Sequence, residues 1–200
     1  MGVALEHARL FSDLQELLLN TVKTLVSTID AKSPWTKGHS ERVTELALII
    51  GKEMGLSQKE LDELRFAGLL HDIGKIGTAE YIIDKPGKLT DEEFAIVKEH
   101  SLKGAEIIKP IKQFENVIQG VLQHHERLDG MGYPHGLRNG GIHHFGKILA
   151  LADAYDAMTS GRPYRKALSK EKTIAELKMC AGTQFDPVVV EAFLKVVGNR

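Results

Sequence analysis

Apolar residues recur at three- and four-residue intervals through almost the whole chain, for example at Leu14, Leu17, Leu18, Val22, Leu25, Val26 and Ile29. That is the period of one helical face, and the sustained period-two alternation of half-buried strands is absent. The pattern predicts an all-α protein with helices near 5–31, 39–54, 57–71, 90–108, 113–125, 144–159, 169–180 and 187–197. Punctuation agrees with it. Ser57 with Glu60 and Thr90 with Glu93 have capping-box spacing, and Asp186 before Pro187 sets an N-cap ahead of a first-turn proline. Gly55, Gly104 and Pro110 mark breaks or close contacts. Two long loops, 72–89 and 126–143, are rich in glycine and polar groups, the composition in which sites are often built.

The first stripe leaves its partner open: it can pack on the domain's own core or zip to a second copy as a coiled coil. Residues 1–30 therefore read as an N-terminal helix, a candidate signalling or dimerisation segment, and 31–200 as the main domain. An upstream sensor or receiver module would suit such a helix.

Composition narrows the class. The chain has 200 residues, 42% hydrophobic and 26% charged, enough for one compact domain. A net charge of −1 supplies no basic field for polymeric nucleic acid, so an anionic ligand must meet local positive charge. The single Cys180 can form neither an intrachain disulfide nor a thiolate cluster; it reads as a packing residue in a reducing cytoplasm. Runs such as LALII at 46–50 are far too short to insert into a membrane, and the first residues lack a signal-peptide pattern. Gly2 is followed by Glu6 rather than the hydroxyl residue of a myristoylation motif.

Candidate chemistry rests on the histidines. Of nine, His39, His71, His100, His124, His125 and His135 fall beside the loops or helix ends. Imidazole and carboxylate together bind zinc, manganese and iron, and only the carboxylate readily bridges two ions. His71 and Asp72 would diverge by about 100° on a continuous helix, but at a helix end the turn into DIGK lets both converge. His100 lies three residues after Val97, His124 three after Val121, and Asp153 four after Leu149. Each is thus on a core-facing side. A single such residue is more often a hydrogen-bonded core group than a ligand. Burying the whole set without a shared cation would cost about 1–3 kcal/mol for each group left unsatisfied.

In order along the chain stand HSERV at 39–43, LLHDIGKIG at 69–77, DKPGKLT at 84–90, His100, HHERLDGMGYP at 124–134, ALADAYDAMTSGRPYR at 150–165 and GTQFDP at 182–187. This series resembles the signature of HD-GYP domains over roughly residues 30–195. The resemblance implies an HD-superfamily helical bundle and a bacterial signalling enzyme. Its activity would be metal-dependent hydrolysis of cyclic di-GMP to pGpG or GMP. It further implies two divalent ions, iron or manganese: one held by His39, His71 and Asp153, the other by His100, His124 and His125. Asp72 would bridge them, with a bridging hydroxide as nucleophile. Lys75 would neutralise a phosphate oxygen, and Tyr133, Arg162 and Arg165 would bind substrate, although an arginine there can instead pair with Asp156. Relatives with a third metal carry Glu four residues before the first histidine; Trp35 stands there, which favours two ions. Residues 142–147 depart from the family pattern, and His143 and His144 are expected outside the ligand set.

Three other functions fit parts of this pattern. A silent binding module is disfavoured because every ligand position is filled. Another HD hydrolase is disfavoured by the GYP and GRPYR segments, and a di-iron oxygenase by Lys75 and the paired arginines.

Overall fold

The computed structural model describes residues 2–31, 37–160 and 167–198. Among these there is no β-strand, only the isolated bridges Asp129 to Arg138 and Ala181 to Phe185. The α-helices are α1 (Gly2–Asp30), α2 (His39–Glu53), α3 (Gln58–Leu70), α4 (Glu80–Ile83), α5 (Asp91–Ile108), α6 (Glu115–Gln123), α7 (His144–Thr159), α8 (Lys170–Met179) and α9 (Pro187–Gly198). Short 3-10 turns occupy Ile73–Gly77, Lys112–Phe114 and Asn139–Gly141. The eight expected helices are all present. The four-residue α4 and the 3-10 turns are additions, too short to show a period.

Both expected capping boxes form. Ser57 Oγ accepts from Glu60 N while Glu60 accepts from Ser57 N, and Thr90 and Glu93 repeat the exchange. Asp186 Oδ1 accepts from Val188 N at 2.9 Å, capping α9. His143 caps α7 through its ring, with Phe145 N donating to Nδ1 at 3.2 Å. The core lies between α2, α3, α6, α7 and α9, where Val43, Ile50, Leu64, Val121, Phe145, Leu149 and Phe193 are fully buried.

The stripe of α1 splits in two. Val22 and Val26 are buried against the core, whereas Leu14 and Leu17 are more than 60% exposed. Only the last turns of α1 pack on this domain, so the reading of a helix laid wholly against its own core holds for that end alone. No helix among the described residues is long and apolar enough to cross a membrane.

Candidate metal centre and its cleft

Three helix ends, with the residue just past one of them, and two helix interiors bring the expected donors to one place. His71 is the C-cap of α3, and Asp72 follows at φ −100°, outside helical geometry. Adjacent side chains therefore converge, with His71 Nε2 and Asp72 Oδ2 3.5 Å apart. His39 opens α2, His100 lies within α5, His124 and His125 follow the last residue of α6, and Asp153 lies within α7. Around Asp72, His39 Nε2 is 3.7 Å from Oδ2 and His100 Nε2 is 3.4 Å from Oδ1. His39 Nε2 also lies 3.3 Å from Asp153 Oδ1, and His100 and His124 bring their Nε2 atoms to 3.2 Å.

The imidazoles are aimed by their other nitrogen. His71 Nδ1 donates to Gly68 O at 2.7 Å, His100 Nδ1 to Val97 O at 2.6 Å and His124 Nδ1 to Val121 O at 2.7 Å. A carbonyl oxygen only accepts, so Nδ1 carries the hydrogen and Nε2 presents a lone pair to the centre. Each acceptor is three residues earlier on the same helix, so local backbone sets the ring orientation. Ligand atoms of His39, His71 and Asp153 lie within 4.8 Å of one another, as do those of His100, His124 and His125. Those of His71, Asp72 and His124 form a third such group. His71 Nε2 and Asp72 Oδ1 are buried without a hydrogen-bond partner. Neutral imidazole lone pairs, two carboxylates and orphaned buried atoms fit a centre for one or two transition-metal cations.

The two ends of the cluster differ electrically. Burial disfavours a charged His39, yet hydrogen bonds with Asp153 and Asp156 and the field of Asp72 outweigh it and raise its pKa to about 9. A field that holds a proton also attracts a metal cation. At the other end burial lowers His100, drives His124 well down with help from neighbouring imidazoles, and takes His125 to about 3. Those rings are neutral at neutral pH, with lone pairs available to a cation. Burial opposes ionisation of Asp72, but Lys75, His71, His100 and His39 hold its carboxyl well below the usual range.

Asp156 is a site residue that the sequence reading did not place. Its Oδ2 accepts from His39 Nδ1 at 2.7 Å, and Arg42 grips it through Nε at 2.6 Å and Nη2 at 3.0 Å. Its partner is therefore Arg42; Arg162 and Arg165 lie outside the described residues, as does Trp35. His39 is thus oriented by a carboxylate, where His71, His100 and His124 use backbone carbonyls. Asp156→Asn is expected to weaken metal binding about 10–100-fold, the usual cost of losing an outer partner of a ligand histidine. Competition against a fluorescent chelator checks this, and wild-type affinity would remove Asp156 from the orienting role.

Beside the donors lies a cavity of about 270 Å³, lined in part by His124, His125, Asp153, Tyr133, Lys98 and Phe94. Tyr133 sits with its ring 4.7 Å from that of His125. Its loop is shaped by the buried Glu126, whose carboxylate accepts from His135 N at 2.7 Å and Leu137 N at 2.9 Å. Gly132 presses so closely on this strand of backbone that a Cβ would lie 2.4 Å from Arg127 N. Lys75 Nζ contacts Asp72 Oδ2 at 2.5 Å. His135 is exposed and belongs to no donor group, and His143 and His144 stand apart from the cluster.

Comparison with known proteins bears on the family and the fold. A family model described as HD domain matches residues 23–189. A cyclic di-GMP phosphodiesterase of Thermotoga maritima is 42% identical over 190 residues, which are 93% of this chain and 51% of that protein. A 3'3'-cGAMP-specific phosphodiesterase of Vibrio cholerae is 38% identical, over 84% of this chain and 37% of its own length. The chain thus spans about half the length of the first of these curated relatives and little over a third of the second. In structure, a cyclic GMP-AMP specific phosphodiesterase of V. cholerae superposes with TM-score 0.72 at 22% identity, covering 91% of this chain and 49% of the other. The HD domain of the L. monocytogenes phosphodiesterase PgpH, in complex with cyclic-di-AMP, gives 0.60 at 20% identity, covering 88% and 96%. At such identities the likeness speaks for the fold. With the family model running over most of its length and the HD-GYP motif series intact in order, the chain belongs to the HD domain family, in its HD-GYP branch.

Proposed function

We propose that this chain is a metal-dependent phosphodiesterase of cyclic dinucleotides, cyclic di-GMP first among them, yielding pGpG or GMP. One observation carries the reading: two triads of ligand atoms stand on either side of Asp72, whose two oxygens face different histidines. His39, His71 and Asp153 would hold one ion and His100, His124 and His125 the other, with Asp72 shared. Bound there, iron or manganese supplies Lewis-acid charge at a phosphate oxygen and acidifies water.

The remaining work belongs to the chain's own side chains. Asp156 and the three helix carbonyls keep each Nε2 lone pair directed inward. Lys75, held at Asp72, places a cation where phosphate charge builds up. Tyr133 borders the cavity and offers a ring face or a hydroxyl to the ligand; burial raises its pKa, so the phenol stays protonated. Arg162 and Arg165 complete the proposed substrate set. In this reading residues 31–200 form the catalytic unit, α1 precedes it, and the protein acts in the cytoplasm.

A second substrate, 3'3'-cGAMP, is favoured by the relative named for it at 38% identity. The test is an anaerobic assay of the purified chain with metals quantified, comparing cyclic di-GMP, 3'3'-cGAMP and cyclic di-AMP by chromatography. Production of pGpG or GMP from cyclic di-GMP with Mn²⁺ or Fe²⁺ is expected. Tight binding without turnover would make the domain a silent binding module.

A further inference from the structure

The cavity beside the donors has an anionic wall of Asp153 and the buried Glu126, yet the proposed substrate is itself an anion. It needs a free cation there. Arg127 lines the same cavity but is committed: Nε and Nη2 hold Asp129 at 3.1 and 2.7 Å, and Nη1 holds Gln184 at 2.7 Å. Lys98 is different. It is half-buried and, among the described residues, makes no ion pair, although Lys85 and Lys103 near it are paired with Glu93 and Glu99. Its Nζ stands 4.5 Å from the ring centroid of Phe94 and 5.6 Å from that of Tyr133.

Phe94, one turn before Lys98 on α5, is 42% exposed and so open to a ligand. It meets Tyr133 edge to face at 6.2 Å, and Tyr133 lies against His125, so aromatic rings run from the donor cluster outward. Phe94 also borders a second hollow of about 550 Å³, lined by Ile82, Ile83 and Leu89 and by the charged Lys85, Lys88 and Asp91. One exposed ring therefore borders both the small chamber beside the donors and a larger one with apolar and charged walls.

We infer that Phe94 and Lys98 form a nucleotide subsite flanking the metal centre. Phe94 stacks a nucleobase of the cyclic dinucleotide, and Lys98 meets a phosphate oxygen. The larger hollow takes the base on the side away from the donors. Stacking on a phenyl ring accepts any base face, and a lysine serves phosphate as a point charge without bidentate geometry. The subsite thus supplies affinity for purine cyclic dinucleotides as a class. It rests on the phosphodiesterase reading above.

The test uses the full chain loaded with Mn²⁺: steady-state kinetics on cyclic di-GMP, equilibrium dialysis of its phosphorothioate analogue, and thermal melting. Lys98→Gln and Phe94→Ala are each expected to raise KM and the dissociation constant about tenfold, the scale of one lost stacking or phosphate contact. Lys98→Arg and Phe94→Tyr should recover most of that loss, and Lys103→Gln, outside the cavity, should behave as wild type. Unchanged KM and dissociation constant in both Lys98→Gln and Phe94→Ala overturn the subsite, as does a change confined to the melting temperature. Wild-type protein that neither binds nor cleaves cyclic di-GMP would instead remove the parent reading, and the subsite with it.

Discussion

Asp72→Ala is expected to lower turnover of cyclic di-GMP by about a thousandfold or more, the scale on which centrally placed electrostatic groups act. Under the proposed two-ion reading, metal content should fall from two ions per chain to one or none. The reason is position: Asp72 is buried, with Oδ2 facing His39 and His71 and Oδ1 facing His100. Among the described residues no other carboxylate stands between the two proposed ligand triads. The substitution also strands Lys75, whose ammonium is held by Asp72. Asp72→Asn separates the effects, since it keeps the shape and loses the charge. Elemental analysis and circular dichroism belong beside the assay, because the helices should persist while metal is lost. Full metal content with wild-type turnover in Asp72→Ala would refute a shared role.

The largest effect on stability is expected at Gly74. A Cβ built there lies 1.9 Å from His100 O and 2.6 Å from Gly104 N, both backbone atoms that cannot swing aside. Gly74→Ala must therefore push the 3-10 turn Ile73–Gly77 away from α5. Overpacking against fixed backbone costs about 3 kcal/mol, which for a chain of this size lowers the melting temperature by roughly 6–12 °C. Gly140→Ala, where nothing lies within 4 Å, is the matched control and should melt with the wild type. The same displacement separates Asp72 from His100, so metal affinity should drop in parallel. Melting of Gly74→Ala at the wild-type temperature would show that the two segments are not pressed together as described.

The helices were legible because their apolar period and capping residues are local properties, and Ser57, Thr90 and Asp186 cap helices as their spacing announces. Convergence of His71 and Asp72 was legible for a related reason: helix termination between them is the only way for neighbours to face one point. Asp156 was less so. It follows Asp153 by three residues on α7 and so shares its face, a signal that was present. Its partners His39 and Arg42, however, are more than a hundred residues away in sequence. Phe94 and Lys98 look like ordinary surface positions of an amphipathic helix until the Tyr133 loop is folded beside them. In α1 the period was correctly read as helical, but a period cannot say what covers it; Val22 and Val26 found the core and Leu14 and Leu17 did not.

The pairing of three of the proposed ligand rings with a carbonyl three residues before each has a consequence for mutational tolerance. His71, His100 and His124 carry their own alignment, because Gly68, Val97 and Val121 contribute only backbone oxygen. Replacing the Val97 or Val121 side chain leaves the aiming bond chemically available, and a Cβ at Gly68 would meet Thr44 Oγ1 at 2.7 Å, so drift at the acceptor positions is filtered by packing alone. His39 has no such insurance: its aim depends on one carboxylate, Asp156, and on the guanidinium of Arg42 that holds it. Inherited variation should therefore damage this centre most readily through the α2–α7 contact, while the other three rings stay in register.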